Sequence, residues 1–195
     1  MFSSIIKIFQ RDKKDSLDEQ IHKSVEDFKN RPVHIKLTAE IIDVTSDDEL
    51  LFTVFENLAV KLEGANKHET FLMFSKARQA AYAIWLLEAE VNNGGFNQYY
   101  YNSSGQYAEL TPGALQLIGA NKFANLVSKA NKIYETENKK ITEHLDGTVE
   151  GFSESYDENP LNELDTEFYE LYKAEDLHKL QVDFIRNNKS EFIDV

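Results

Sequence analysis

The chain has 195 residues, 42% hydrophobic and 12% aromatic, which is enough to bury a sizeable core and argues against wholesale disorder. It has no cysteine, which excludes disulfides, thiolate metal sites and a cysteine nucleophile. A net charge of −13 counts against direct nucleic-acid binding, and no apolar run approaches the roughly 18 residues of a membrane span.

Residues 1–37 read as an N-terminal arm, helical in part and loosely attached, and residues 38–195 as one domain. Phe2, Ile5, Ile6 and Phe9 share a helical face, followed by Arg11, Lys13 and Lys14. A docked or mobile turn is favoured there over a membrane-lying helix. Lys7 breaks the apolar run and the basic residues follow it, so the start does not read as a secretory signal, and a cytoplasmic protein is expected. HIKLTAEI at 34–41 is the one strand candidate, although Thr38 would equally cap a short helix.

SDDE at 46–49 predicts a capping box with Ser46 as N-cap and Glu49 at N3. Leu51, Phe55, Leu58 and Leu62 follow at helical spacing, and Gly64 ends the run. Met73, Ala77, Ala80, Ile84, Leu87 and Val91 form the next stripe. Thr111–Pro112 predicts an N-cap with proline at N1, stapled by Leu110 and Leu115 and closed by Gly119. Phe123, Leu126, Val127, Ala130, Ile133 and Tyr134 mark a further helix. Residues 146–158 read as a loop, and Asn159–Pro160 opens a helix carrying Leu161, Leu164, Phe168 and Leu171. Leu177, Leu180, Phe184 and Ile185 mark the last one. The expected fold is all-α: a compact multi-helix domain.

EVNNGGFNQYYYN at 90–102 carries the densest signal. Asn-Gly-Gly supplies residues that tolerate positive φ where a helix ends, and Phe96, Tyr99 and Tyr100 then share one face of a new helix. The pattern predicts a tight helix–helix corner with positive φ at Gly94 or Gly95 and with Phe96 and Tyr100 buried. A helix N-terminus after the glycines could also bind an anion. A catalytic reading would use Glu90 or Glu88 as an acid or base of raised pKa. It lacks a second member, because His22, His34, His68, His144 and His178 are scattered without metal-ligand spacing. No nucleotide-binding or hydrolase motif occurs, so no cofactor, metal or catalytic residue is assigned. No pair of carboxylate, His or Lys side chains is expected to converge in a pocket at the motif.

The same string resembles the hallmark of a bacterial domain of the DNA-mimic protein 19 type. The resemblance continues through ALQLIGA at 114–120 and LNELDTEFYELY at 161–172 and covers about residues 38–192. The best-known member of that family is an acidic, helical dimer that occupies the DNA-binding face of a transcription factor. The resemblance therefore implies a non-catalytic protein-binding domain with a basic partner, and leaves a homodimer open. It makes Glu90, Asn93, Gly94, Gly95, Phe96, Gln98, Tyr100 and Asn102 a family motif, read as structural.

Charge distribution supplies the partner-binding candidates. Residues 146–195 hold 14 acids and 4 bases, a net of −10. Glu163, Glu167 and Glu170 recur one stripe off the apolar face, about 4.5–6 Å apart along a helix axis. Glu163, Glu167 and Glu170 are expected to project into solvent without Lys or Arg partners, and Glu154, Asp157 and Glu158 to extend the same negative surface. The partner is expected to be a transcription factor or, for an immunity-type inhibitor, a nuclease-like toxin. A small-molecule binder or enzyme with a pocket at Glu90, Asn93, Gln98 and Asn102 is the alternative.

Overall fold

A computed structural model describes residues 19–23, 25–26, 30–31, 33–64, 66–143, 148–157 and 159–194. The chain divides into two units, residues 1–33 and 34–195. In the first, residues 19–23 are helical and exposed. The expectations for Phe2, Ile5, Ile6, Phe9, Arg11, Lys13, Lys14, His144 and Glu158 fall outside the described residues.

The second unit is all helical, with no strand among its described residues. Its elements are α1 (Ala39–Val44), α2 (Asp47–Lys61), α3 (Lys67–Met73), α4 (Lys76–Tyr101), a 3-10 turn (Ser103–Tyr107), α5 (Thr111–Leu117), α6 (Asn121–Ile141), α7 (Val149–Glu154), α8 (Asn162–Leu171), α9 (Leu177–Asn187) and α10 (Lys189–Phe192). The strand candidate at 34–41 resolves as helix: the Thr38 hydroxyl accepts from the Ile41 amide and starts α1.

α4 is the axis of the fold because it is apolar on two sides. Ala80, Ile84, Leu87, Val91, Phe96 and Tyr99 join Leu115, Phe123, Val127, Leu164 and Phe168 in one cluster. Ala77, Tyr82 and Ala83 face Ile42, Leu50, Val54, Leu58, Phe71 and Phe192 in another. Each fully buried large side chain stabilises the fold by about 1.5–3 kcal/mol, so the two faces of α4 commit both halves of the unit to one arrangement.

Asp194 fastens the C-terminal end. Its carboxylate accepts from the Leu37 amide at 2.9 Å, Lys61 Nζ at 2.8 Å and Arg78 at 2.9 Å, and the Asp194 amide donates to the Leu37 carbonyl at 2.8 Å. Burial pushes its pKa up, but Lys61, the Leu37 amide and Asn57 outweigh that and bring it down to about 2.

Four local expectations need correction. Ser46 does not cap with its side chain; its hydroxyl donates to the Glu49 carboxylate instead. Thr111 is the first residue of α5 rather than its cap, because its hydroxyl turns back to the Tyr107 carbonyl at 2.7 Å. Met73 ends α3, 85% exposed, rather than opening the stripe of α4. The acidic loop at 146–158 contains α7, capped by the Thr148 hydroxyl on the Gly151 amide.

Candidate functional site

The glycine pair breaks α4 into two segments. Gly94 has φ −155° and Gly95 has φ 69°, while Phe96 is fully buried and Tyr100 8% exposed. The positive φ expected at one of the two glycines is therefore at Gly95, in the left-handed region that side chains with a Cβ avoid. Breaking a helix strands backbone groups on both sides of the break. Here α8 and the turn before it satisfy them. Tyr169 donates to the Val91 carbonyl at 2.9 Å and Tyr156 donates to the Gly94 carbonyl at 2.7 Å. The Phe96 amide donates to Asp165 Oδ1 at 2.7 Å.

The anion at the N-terminus of the second segment is thus Asp165, supplied by the chain itself. Burial raises its pKa, and the Phe96 amide acts in the opposite direction. A Cβ on Gly95 would collide with this carboxylate, and one on Gly94 would crowd Gln98 and Tyr156. Glycine is required here by close approach as well as by backbone angle.

The remaining motif residues bond mostly to one another and to the fold, with Asn93 and Asn102 at the exposed edge. Glu90 accepts from Ser104 at 2.6 Å, Gln98 at 2.7 Å and Asn102 at 2.8 Å, and Asn93 donates to Gln98 Oε1 at 2.9 Å. Buried Asn97 donates to Ser155 and accepts from Asn159. Tyr99 pairs with Thr111 at 3.0 Å, and Tyr100 donates to Asn131 at 2.7 Å. Glu90, Asn93, Gln98 and Asn102 do converge, but as a closed hydrogen-bond network that ties the two segments of α4 to the following turn. Such a network orders structure and leaves few lone pairs for a ligand.

Glu88 differs from Glu90. Its carboxylate accepts from the Tyr172 hydroxyl and Gln181 Nε2, both at 2.7 Å, and burial raises its pKa. Glu88 and His178 line one cavity of about 270 Å³ with Leu51, Trp85, Ala89 and Asn92. The expectation that no carboxylate and histidine share a pocket beside the motif is therefore wrong. The histidine arrives from α9, far along the sequence, where spacing rules have no reach. Among the described residues no group of three or more His, Asp or Glu is placed to hold a metal.

The acids of the C-terminal quarter divide into two kinds. Asp165 caps the second segment of α4, Glu175 accepts from the Lys122 and Phe123 amides at the start of α6, and Asp176 caps α9. Glu154, Asp157, Glu163, Glu167 and Glu170 are exposed. The expectation that Glu163, Glu167 and Glu170 lack cationic partners fails at two of the three: Lys129 pairs with Glu167 at 2.9 Å, and Lys173 pairs with Glu170 at 2.6 Å. Lys129 lies on α6, so only tertiary structure brings it there. Lys173 follows Glu170 by one helical turn and was legible in the sequence.

A family model described as DMP19-like protein matches residues 73–188. The chain belongs to this family. The match spans α4 through α9, and therefore both segments of α4 with the α8 residues that clamp the break. The DMP19-like family is not a known enzyme family. Among curated proteins, no sequence matches the chain. Among the described residues, no helix of this DMP19-like protein is long and apolar enough to cross a membrane.

Proposed function

We propose that this DMP19-like chain is a non-catalytic, acidic protein-binding domain that occupies the basic surface of a DNA-binding protein in the cytoplasm. One observation carries the reading: Glu154, Asp157, Glu163, Glu167 and Glu170 are all solvent-exposed, while the neighbouring Asp165, Glu175 and Asp176 are engaged as caps of helix N-termini.

The ion pairs at Glu167 and Glu170 weaken the case only slightly. Their side chains are 47% and 61% exposed, and exposed pairs contribute about 0–1 kcal/mol. Exchanging Lys129 or Lys173 for a partner's cation costs little. The closed network at Glu90 supports a non-catalytic reading, since three donors already hold the carboxylate that would act as base.

The test is retention of host proteins on the immobilised full chain at low salt. A control column carries the variant Glu154→Gln, Asp157→Asn, Glu163→Gln, Glu167→Gln and Glu170→Gln. A basic DNA-binding protein should be held by the wild type, released by salt or by added duplex DNA, and missing from the variant column. Equal retention on both columns, or release by salt but not by DNA, would sink the mimic reading. Capture of a basic nuclease whose activity the chain blocks would select the immunity-type inhibitor instead.

A further inference from the structure

Glu88 is a carboxylate without a lysine or arginine partner among the described residues. It is half-buried and is hydrogen-bonded by two neutral donors, Tyr172 from the end of α8 and Gln181 from α9. Among the described residues His178 is the one ionisable cation that acts on it. Buried carboxylates usually have a cationic partner or lose their charge.

The space beside Glu88 supplies room for such a partner. The cavity of about 270 Å³ has apolar walls from Leu51, Trp85 and Ala89, with Asn92 and His178 as its other polar groups. Trp85 is held in place by Phe52 and Phe55, with ring centroids 5.5 and 5.1 Å away. An indole beside a desolvated carboxylate is suited to a cation on an apolar body, which gains attraction to the ring and to the acid together. The volume approaches the lower end of small-ligand pockets.

We propose that this cavity binds a protonated amine or guanidinium carried on a short apolar stem, with Glu88 as counter-charge and Trp85 as wall. The cation comes either from a free small amine or from a lysine or arginine side chain. The site is separate from the exposed acids of α7 and α8, and does not depend on their having a partner.

Trp85 is the only tryptophan in the chain, so its fluorescence reports on this site directly. Benzylammonium, benzyl alcohol and a capped Gly-Arg-Gly tripeptide are titrated into the full chain at low ionic strength. One of the two cations should give a saturable change, and the tighter of the two names the source. Benzyl alcohol should bind about thirtyfold more weakly than benzylammonium if the charge pair carries recognition. Glu88→Gln should weaken cation binding to a similar extent. Circular dichroism checks its folding, and His178→Lys, which leaves the Tyr172 and Gln181 bonds to Glu88 in place, should block cations independently. Equal binding of alcohol and ammonium, undiminished binding by folded Glu88→Gln or by His178→Lys, or no saturable change with either cation would overturn the proposal.

Discussion

The break in α4 and the outer surface of α7 and α8 are both crowded with polar side chains, yet they use them in opposite ways. Around Gly94 and Gly95 the polar groups named above bond to the fold: Glu90 to three donors, Asn97 to Ser155 and Asn159, and Asp165 to the Phe96 amide. On the outer surface Glu154, Asp157, Glu163, Glu167 and Glu170 are all exposed, and Glu167 and Glu170 pair with exposed lysines. The most distinctive string in a sequence can therefore be architecture, and the plainer one the place where partners meet. Removing a closed polar group costs stability, whereas removing an open one costs association.

Substitutions sharpen that contrast. Gly95→Val should be the most damaging, because it combines a left-handed backbone angle with a collision against Asp165. A loss of about 3 kcal/mol in urea unfolding is expected. A wild-type midpoint would show that the break can relax and that the contrast is overdrawn.

Asp194 tests whether some acids of the C-terminal quarter are structural. Its carboxyl falls from 3.8 to about 2 on folding, so its contribution is present above the higher value and disappears as pH falls through the lower one. Asp194→Asn should lose about 2 kcal/mol at neutral pH and should flatten the decline in stability between those two values. Parallel acid-unfolding curves for wild type and variant would contradict the clamp.

Asp165→Ala removes one cap and leaves the Phe96 amide without its acceptor, at a cost of about 1 kcal/mol. If hydrogen exchange at Phe96 stays unchanged, water or another group has replaced the cap. At the other end of the scale, Glu163→Gln with Glu167→Gln and Glu170→Gln should move stability by no more than about 0.5 kcal/mol in either direction. A larger loss by thermal unfolding would place these glutamates among the structural acids.

Much of this was legible in the sequence because it depends on neighbours. Helical spacing of apolar residues points to α2, α4, α6, α8 and α9, the glycine rule placed a positive φ at Gly94 or Gly95, where Gly95 has it, and Gly64 and Gly119 end helices as expected. What escaped depends on distant partners. Thr111 looked like a cap because its preference for Tyr99 and Tyr107 is set by packing. Asp165 gave no local signal as a cap, since its contact with Phe96 spans the chain between α4 and α8. The same distance hid Lys129 beside Glu167 and His178 beside Glu88. Spacing rules see one element at a time, and caps and cavities assembled from several elements lie beyond them.

The most direct measurement is the salt dependence of affinity for a captured basic partner, with the wild type compared to the Glu163→Gln, Glu167→Gln, Glu170→Gln variant. If the exposed carboxylates form the contact, the plot of log Kd against log salt concentration should be steep for the wild type. The variant should then bind more weakly at low salt and follow a shallower line, with the two converging as salt rises. Two superimposable lines would contradict the account and move binding to another face of the molecule.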